Sequence, residues 1–336
     1  MSTADTRRLD RRRRAQAGFT ILEALIVTFI IATITLVIER TVSSLVDTER
    51  LMRAIRNTSD RGQQAAYRLR DVVSSSRNIY GNDATGNGYL AKVGFGALPL
   101  LPGSRLPKID ELNPLGPDVA GDPWTGNLLL FARQADPIPA EAVVATKLMR
   151  QIDAYRLVCV YLTQTTKTVV SGGLPALDLV EWRSDAFPSY TQVKAISDAG
   201  QRTTVVADLY NRFGFDYLWD VMQPASSAFY AIDGTGTIAA TPTAVASIPE
   251  DLNVSKRGRF VAGSMAVART DATSYPRAVV FTADAPATWT PDGFECKIVG
   301  VSGSRKVWMR LTVEQQASKG RVPAQQTTVV ATARDL

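Results

Sequence analysis

The sequence predicts an α+β protein. A long amino-terminal helix, membrane-spanning in its first part, packs on a carboxy-terminal domain of mainly antiparallel β-sheet. Three observations carry this expectation. Residues 19–38 are almost wholly apolar. Apolar residues continue beyond them at helical spacing, and no proline occurs before Pro99. After Tyr89 the chain breaks into short β-rich runs bounded by turn-forming residues.

The amino terminus comes first. An arginine-rich stretch (Arg7, Arg8 and Arg11 to Arg14) precedes the apolar run. A cleaved secretory signal would end its apolar part with small residues. Here Ala15-Gln16-Ala17-Gly18 lies before the apolar run, so a cut there removes the charges and keeps the hydrophobe. Twenty apolar residues rising ~1.5 Å each span roughly 30 Å, a full hydrocarbon core. A soluble core helix of that length is seldom apolar all round. The arginines favour the cytoplasmic side, which sends the rest of the chain across the membrane.

Within this run sits Glu23. A carboxylate at a membrane centre costs roughly 2.5–3.5 kcal/mol, and less near the end of a span. One reading is a tolerated interfacial acid. The other gives Glu23 a partner: cleavage after Gly18 would free an amino group on Phe19, and the amine of one subunit would meet the carboxylate of its neighbour. Such a pair in low dielectric specifies register, because either charge alone is costly.

Gly18-Phe19-Thr20-Ile21-Leu22-Glu23, with basic residues before it and an unbroken apolar run after it, resembles the class III signal of type IV pilins and type II secretion pseudopilins. The resemblance implies a pilin-like fold, cleavage after Gly18 by a prepilin peptidase, N-methylation of Phe19, and a role for Glu23 in filament assembly. It implies an inner-membrane subunit with a periplasmic body that later enters a pilus or pseudopilus. Its partners would be the peptidase, other pilin or pseudopilin subunits contacting its amino-terminal helix, and lipid before assembly. Major pilins often carry a proline where this chain has Arg40, and they are much shorter, so a minor pilin or minor pseudopilin is expected. "YRLRDVVSSSRNIY", "DLYNRFGFDYLWD" and "YPRAVVFTADA" further resemble W-type minor pilins and J-type minor pseudopilins. K-type pseudopilins usually lack the glutamate that Glu23 represents.

The expected organisation is a leader over residues 1–18, a transmembrane and filament-core helix over 19–38, its amphipathic continuation over 39–78, and a β-rich periplasmic domain over 79–336. Val42, Leu45, Met52, Ile55, Ala66, Leu69 and Val73 mark the continuation to about Arg77, with a loosening expected near Gly62. Such a helix would reach roughly 90 Å. "GNDATGNG" from Gly81 reads as a turn-rich break and only weakly as a calcium loop; "DGTGT" from Asp233 reads as a plain turn. Strands are expected in "NLLLFAR", "YRLVCVYLT", "LDLVEWR", "RAVVFTA", "FECKIVGV", "RKVWMRLTV" and "TTVVATAR". Another is expected over residues 205–220, where Ala207, Leu209, Phe213, Phe215 and Tyr217 alternate.

Composition narrows the function. The formal charge of +6 falls to +2 once the six arginines and two aspartates before Gly18 are set aside, so net charge gives no indication of nucleic-acid binding. The chain has no histidine, which removes Ser-His-Asp and Cys-His catalysis and histidine metal ligands. Cys159 and Cys296, 137 positions apart, form no metal spacing; a single disulfide between them and two buried thiols are both open. Asp208, Asp216 and Asp220 read as a solvated strand face, and Trp124, Trp182, Trp219, Trp289 and Trp308 mostly as core. No cofactor, metal or catalytic residue is expected. The leading expectation is a non-enzymatic structural subunit at or near a filament tip. The alternatives are an adhesin-like or DNA-capturing tip module and, third, a membrane-tethered enzyme.

Overall fold

The computed structural model describes residues 20–96, 98–111, 125–169, 175–251, 261–265, 293–315, 317 and 323–334. Helix α1 (Ile21–Ser74) opens the described chain. It is followed by β1 (Ser76–Tyr80), α2 (Ala84–Leu90), β2 (Ile109–Asp110), β3 (Leu129–Gln134), β4 (Ile138–Val143), β5 (Leu148–Ile152), β6 (Ala154–Val169) and β7 (Pro175–Arg183). Then come β8 (Phe187–Pro188), α3 (Tyr190–Lys194), α4 (Ala199–Asn211), β9 (Tyr217–Trp219), β10 (Phe229–Ala231), β11 (Val261–Met265), β12 (Phe294–Val299), β13 (Lys306–Glu314) and β14 (Ala324–Thr332). The chain divides into two compact units, Met1–Arg53 and Ala54–Leu336.

In the first unit, the described part of α1 is exposed along almost its whole length, including Leu25, Phe29, Ile30, Ile34 and Val37. By length and composition this helix can cross a membrane. Its threonines are accommodated without outside partners. Thr28, Thr33, Thr35 and Thr41 each donate to the carbonyl four residues earlier, at 2.7–2.8 Å.

In the second unit, α1 has one buried stripe: Ala65, Ala66, Leu69, Val72 and Val73. The small residues let the helix backbone approach a sheet of order β1-β3-β6-β7-β11-β13-β12-β2, with β14 on β13 and β8 on β6. The pairs are antiparallel except β12–β2. Alternate strand residues face the helix, among them Phe131, Val160, Leu179, Phe294, Ile298, Met309 and Val313. Gly126, just before β3, exchanges backbone hydrogen bonds with Cys296 of β12 at 2.8 and 2.9 Å. This ties opposite ends of the strand order to each other. A Cβ at Gly126 would fall 2.4 Å from the Pro107 nitrogen, so only glycine fits this crossing.

The other sheet face carries a second apolar cluster with Tyr80, Tyr89, Trp182, Trp219 and Phe229. A third cluster joins the β4–β5 hairpin to α3, α4 and β9 through Ile138, Ala140, Ile152, Val193, Val205, Val206 and Leu209.

Strands are present in six of the anticipated runs. "RAVVFTA" and the resemblance in "YPRAVVFTADA" lie outside the described residues, as do Trp124 and Trp289. Four expectations are corrected. First, residues 205–220 are not one strand. Asp198 caps α4, its carboxylate accepting from the Gln201 N–H at 2.8 Å, and Val205, Val206 and Leu209 form the buried stripe of a helix. Gly214, at φ +73°, sits in the turn that follows, before the short β9. Second, Asp208, Asp216 and Asp220 share no strand face. Asp208 on α4 accepts from the Glu141 N–H at 2.8 Å, Asp216 lies in the turn, and Asp220 is buried after β9. Third, α1 stops at Ser74 and Arg77 belongs to β1; Ser75 turns its hydroxyl back onto the Val72 carbonyl at 2.8 Å. Fourth, Gly62 does not loosen α1. It is buried within a continuous helix, where its missing Cβ would lie 3.0 Å from the Thr327 hydroxyl of β14.

Two smaller findings concern the turns. "GNDATGNG" runs into α2, which is capped by Asp83, whose carboxylate accepts from Gly86 N–H at 2.7 Å. Asp233 organises a tight turn by accepting from the Thr235 and Thr237 N–H groups at 2.9 and 3.0 Å.

Candidate functional site: the head of the amino-terminal helix

Of the residues singled out at the amino terminus, Gly18 and Phe19 lie outside the described residues. Glu23 is described, and it has a local role that the sequence reading missed. The Thr20 hydroxyl accepts from the Glu23 N–H at 3.2 Å, while the Glu23 carboxylate accepts from the Thr20 N–H at 2.9 Å and its hydroxyl at 3.0 Å. This is a reciprocal capping box at the first turn of α1. The signal was present in Thr20-Ile21-Leu22-Glu23, the Thr-x-x-Glu pattern before an apolar run.

The capping box changes the chemistry available to Glu23. Its carboxylate satisfies two donors at the helix start, where the negative charge also complements the helix dipole. A carboxylate held this way still has acceptor capacity for a further cation. Around it Ile21, Leu22, Leu25 and Ile26 are all exposed, at 50–84% of their full accessibility, so the helix head is an apolar surface carrying one acid.

The second unit holds its part of α1 with charge as well as apolar packing. Arg68 donates to Glu181 at 3.2 Å; Glu181 is buried on β7 and also pairs with Arg183. Cross-strand partners Glu295 and Arg310 form a buried pair on the sheet face away from the helix. A buried pair of this kind is costly to break by removing one member.

The cysteines do not form the bridge considered from sequence. Both are free and buried, Cys159 in the cluster on the outer sheet face and Cys296 in the cluster against α1. The sheet lies between them. Burial pushes both thiols well above their ordinary pKa. Trp182 and Trp219 are buried, and Trp308 is half-buried. No group of three or more Cys, Asp or Glu residues is arranged to hold a metal ion among the described residues.

No protein-family model, curated protein or solved structure matches this chain.

Proposed function

We propose that this chain is a minor pilin or minor pseudopilin: a structural, non-enzymatic subunit processed by a prepilin peptidase and incorporated at or near the tip of a type IV pilus or type II secretion pseudopilus. One observation carries the reading. In the sequence Gly18-Phe19 comes just before α1, and the first part of that helix, residues 21–38, is almost wholly apolar apart from Glu23 and exposed on every side. Before assembly that surface is solvated by inner-membrane lipid, with the β-rich body in the periplasm. On assembly, helices of neighbouring subunits replace the lipid. The new amine on Phe19 approaches Glu23 of an adjacent subunit, and the capping box holds the receiving carboxylate in place.

Mass analysis of the amino terminus of the native protein tests this. The expected mature chain begins at a methylated Phe19, and Gly18→Arg leaves the chain uncut. A mature protein that retains its first eighteen residues overturns the reading.

A further inference from the structure

The second unit carries a projecting apolar tip and an acidic, aromatic cleft at opposite ends of α4. The tip is the β4–β5 turn. Val144, Leu148 and Met149 are 69%, 48% and 40% exposed, and Lys147 and Arg150 flank them. Isolated surface apolar residues need no explanation, but three at one hairpin end form a patch. Lys147 adopts φ +53°, the only positive φ at a non-glycine among the described residues. Glycine would hold that conformation without strain, so the turn keeps a cation where backbone geometry favours none.

The cleft has a volume of about 740 Å³, and its lining includes Phe213, Phe215, Asp185, Asp216, Asp251 and Arg156. Asp251 pairs with Arg156, which leaves the exposed Asp185 and Asp216 as the remaining charges of the wall. Partial burial and the nearby Asp251 charge raise the Asp185 carboxyl above its ordinary value. An entering cation relieves that cost.

Two hydrogen bonds fix where these features lie. Arg150 donates to Gln201 in the first turn of α4 at 3.0 Å, and Arg212 just after it donates to the Pro139 carbonyl at 2.9 Å. The tip therefore stands at the start of α4 and the cleft beyond its end, roughly 20 Å apart along the helix. The surfaces are complementary in sign and in apolar character, and one copy cannot bring them together.

We infer that the β4–β5 tip of one copy docks in the Phe213–Asp185 cleft of a second copy, head to tail, with Leu148 and Met149 against the phenylalanines and Lys147 facing Asp185 and Asp216. A contact between different patches does not close on itself as a two-fold dimer does, so it propagates into a row or a ring. It is independent of how the amino terminus is processed.

The test uses the full chain in detergent as two variants, Leu148→Cys and Ser247→Cys; Ser247 is an exposed residue of the cleft wall. Cys159 and Cys296 are buried and serve as a silent background. Oxidation of the mixture is expected to give a cross-linked dimer, with position 148 joined to position 247. Each variant alone is expected to give at least tenfold less. Adding Asp185→Lys and Asp216→Lys to the cleft variant should cut the yield at least tenfold, and Lys147→Glu with Arg150→Glu on the tip variant should restore it. No cross-link in the mixture, equal yields from either variant alone, or a yield indifferent to the charge reversals overturns the inference. So does oxidation in native membranes that traps the Leu148→Cys chain only on a different protein.

Discussion

The indole N–H of Trp219 donates to the Tyr89 hydroxyl at 2.9 Å, and that hydroxyl donates in turn to the Gln223 carbonyl at 2.8 Å. Both rings are fully buried, with centroids 5.9 Å apart in an edge-on arrangement. The relay joins α2 to β9 and to the segment after it, and burial pushes the Tyr89 hydroxyl up to about 12, so it stays protonated. Tyr89→Phe keeps the ring but strands the indole N–H and the carbonyl. The expected loss is about 1–3 kcal/mol in denaturant unfolding. Adding Trp219→Phe should cost less than the sum of the two single changes, because the donor is then gone as well.

Glu23 caps α1, and in the proposed subunit it also receives the Phe19 amine of a neighbour; one substitution separates the two. Glutamine preserves a capping box and removes the charge. Glu23→Gln is therefore expected to keep the helicity of α1 and its processing while impairing incorporation into filaments. Circular dichroism of the purified chain and immunoblots of sheared filaments check the two halves. Normal incorporation of Glu23→Gln would show that the cap, not the charge, is what assembly requires.

At Gly62 helix propensity and close packing oppose each other. Alanine gains about 1 kcal/mol over glycine inside a helix. Its methyl group would sit 3.0 Å from the Thr327 hydroxyl, with Val313 next at 3.7 Å. In a Thr327→Ala background the tight contact is absent, and Gly62→Ala is expected to stabilise by close to the full propensity gain. In the native background the gain should be smaller or reversed, and a double-mutant cycle in urea reads the difference.

Asp185 gives a pH signature. Its carboxyl is raised in the folded chain by burial and the Asp251 charge, against the opposing effect of Arg156. The folded state then holds the proton more tightly than the unfolded state, so ionisation costs stability. The penalty is absent below the unfolded pKa and complete above the folded one. Asp185→Asn is expected to raise the melting temperature at pH 7. The advantage should shrink as the pH falls through the raised folded pKa and vanish below about 4, where an ordinary aspartate is protonated in the unfolded chain as well.

The long helix and six of the strands were legible in the sequence because their periods are strong and local. Leu129–Gln134 ends a short apolar run, Phe294–Val299 is rich in β-forming residues, and the stripe from Ala65 to Val73 repeats at helical spacing. Helix α4 was hidden because Ala207, Leu209, Phe213, Phe215 and Tyr217 mimic a period of two across a helix, a turn and a strand. The signal to weigh against it was Asp198, a helix cap just ahead of the run. The β4–β5 hairpin escaped notice because Pro139 and the exposed apolar tip blur its alternation. At the candidate site, Glu23 was recognisable as an anomaly but its tie to Thr20 was overlooked. The cleft could not be read at all, since Arg156, Asp185, Phe213 and Asp251 meet only through the fold.

The placement of Cys159 and Cys296 on either side of one sheet has a practical corollary. An alkylating reagent finds neither sulfur while the body stays closed, so the chain carries two native reporters of its own opening. Release of the helix from its groove would uncover one, and loss of the aromatic layer the other. The order in which they are labelled during gentle denaturation would tell which side of the sheet lets go first.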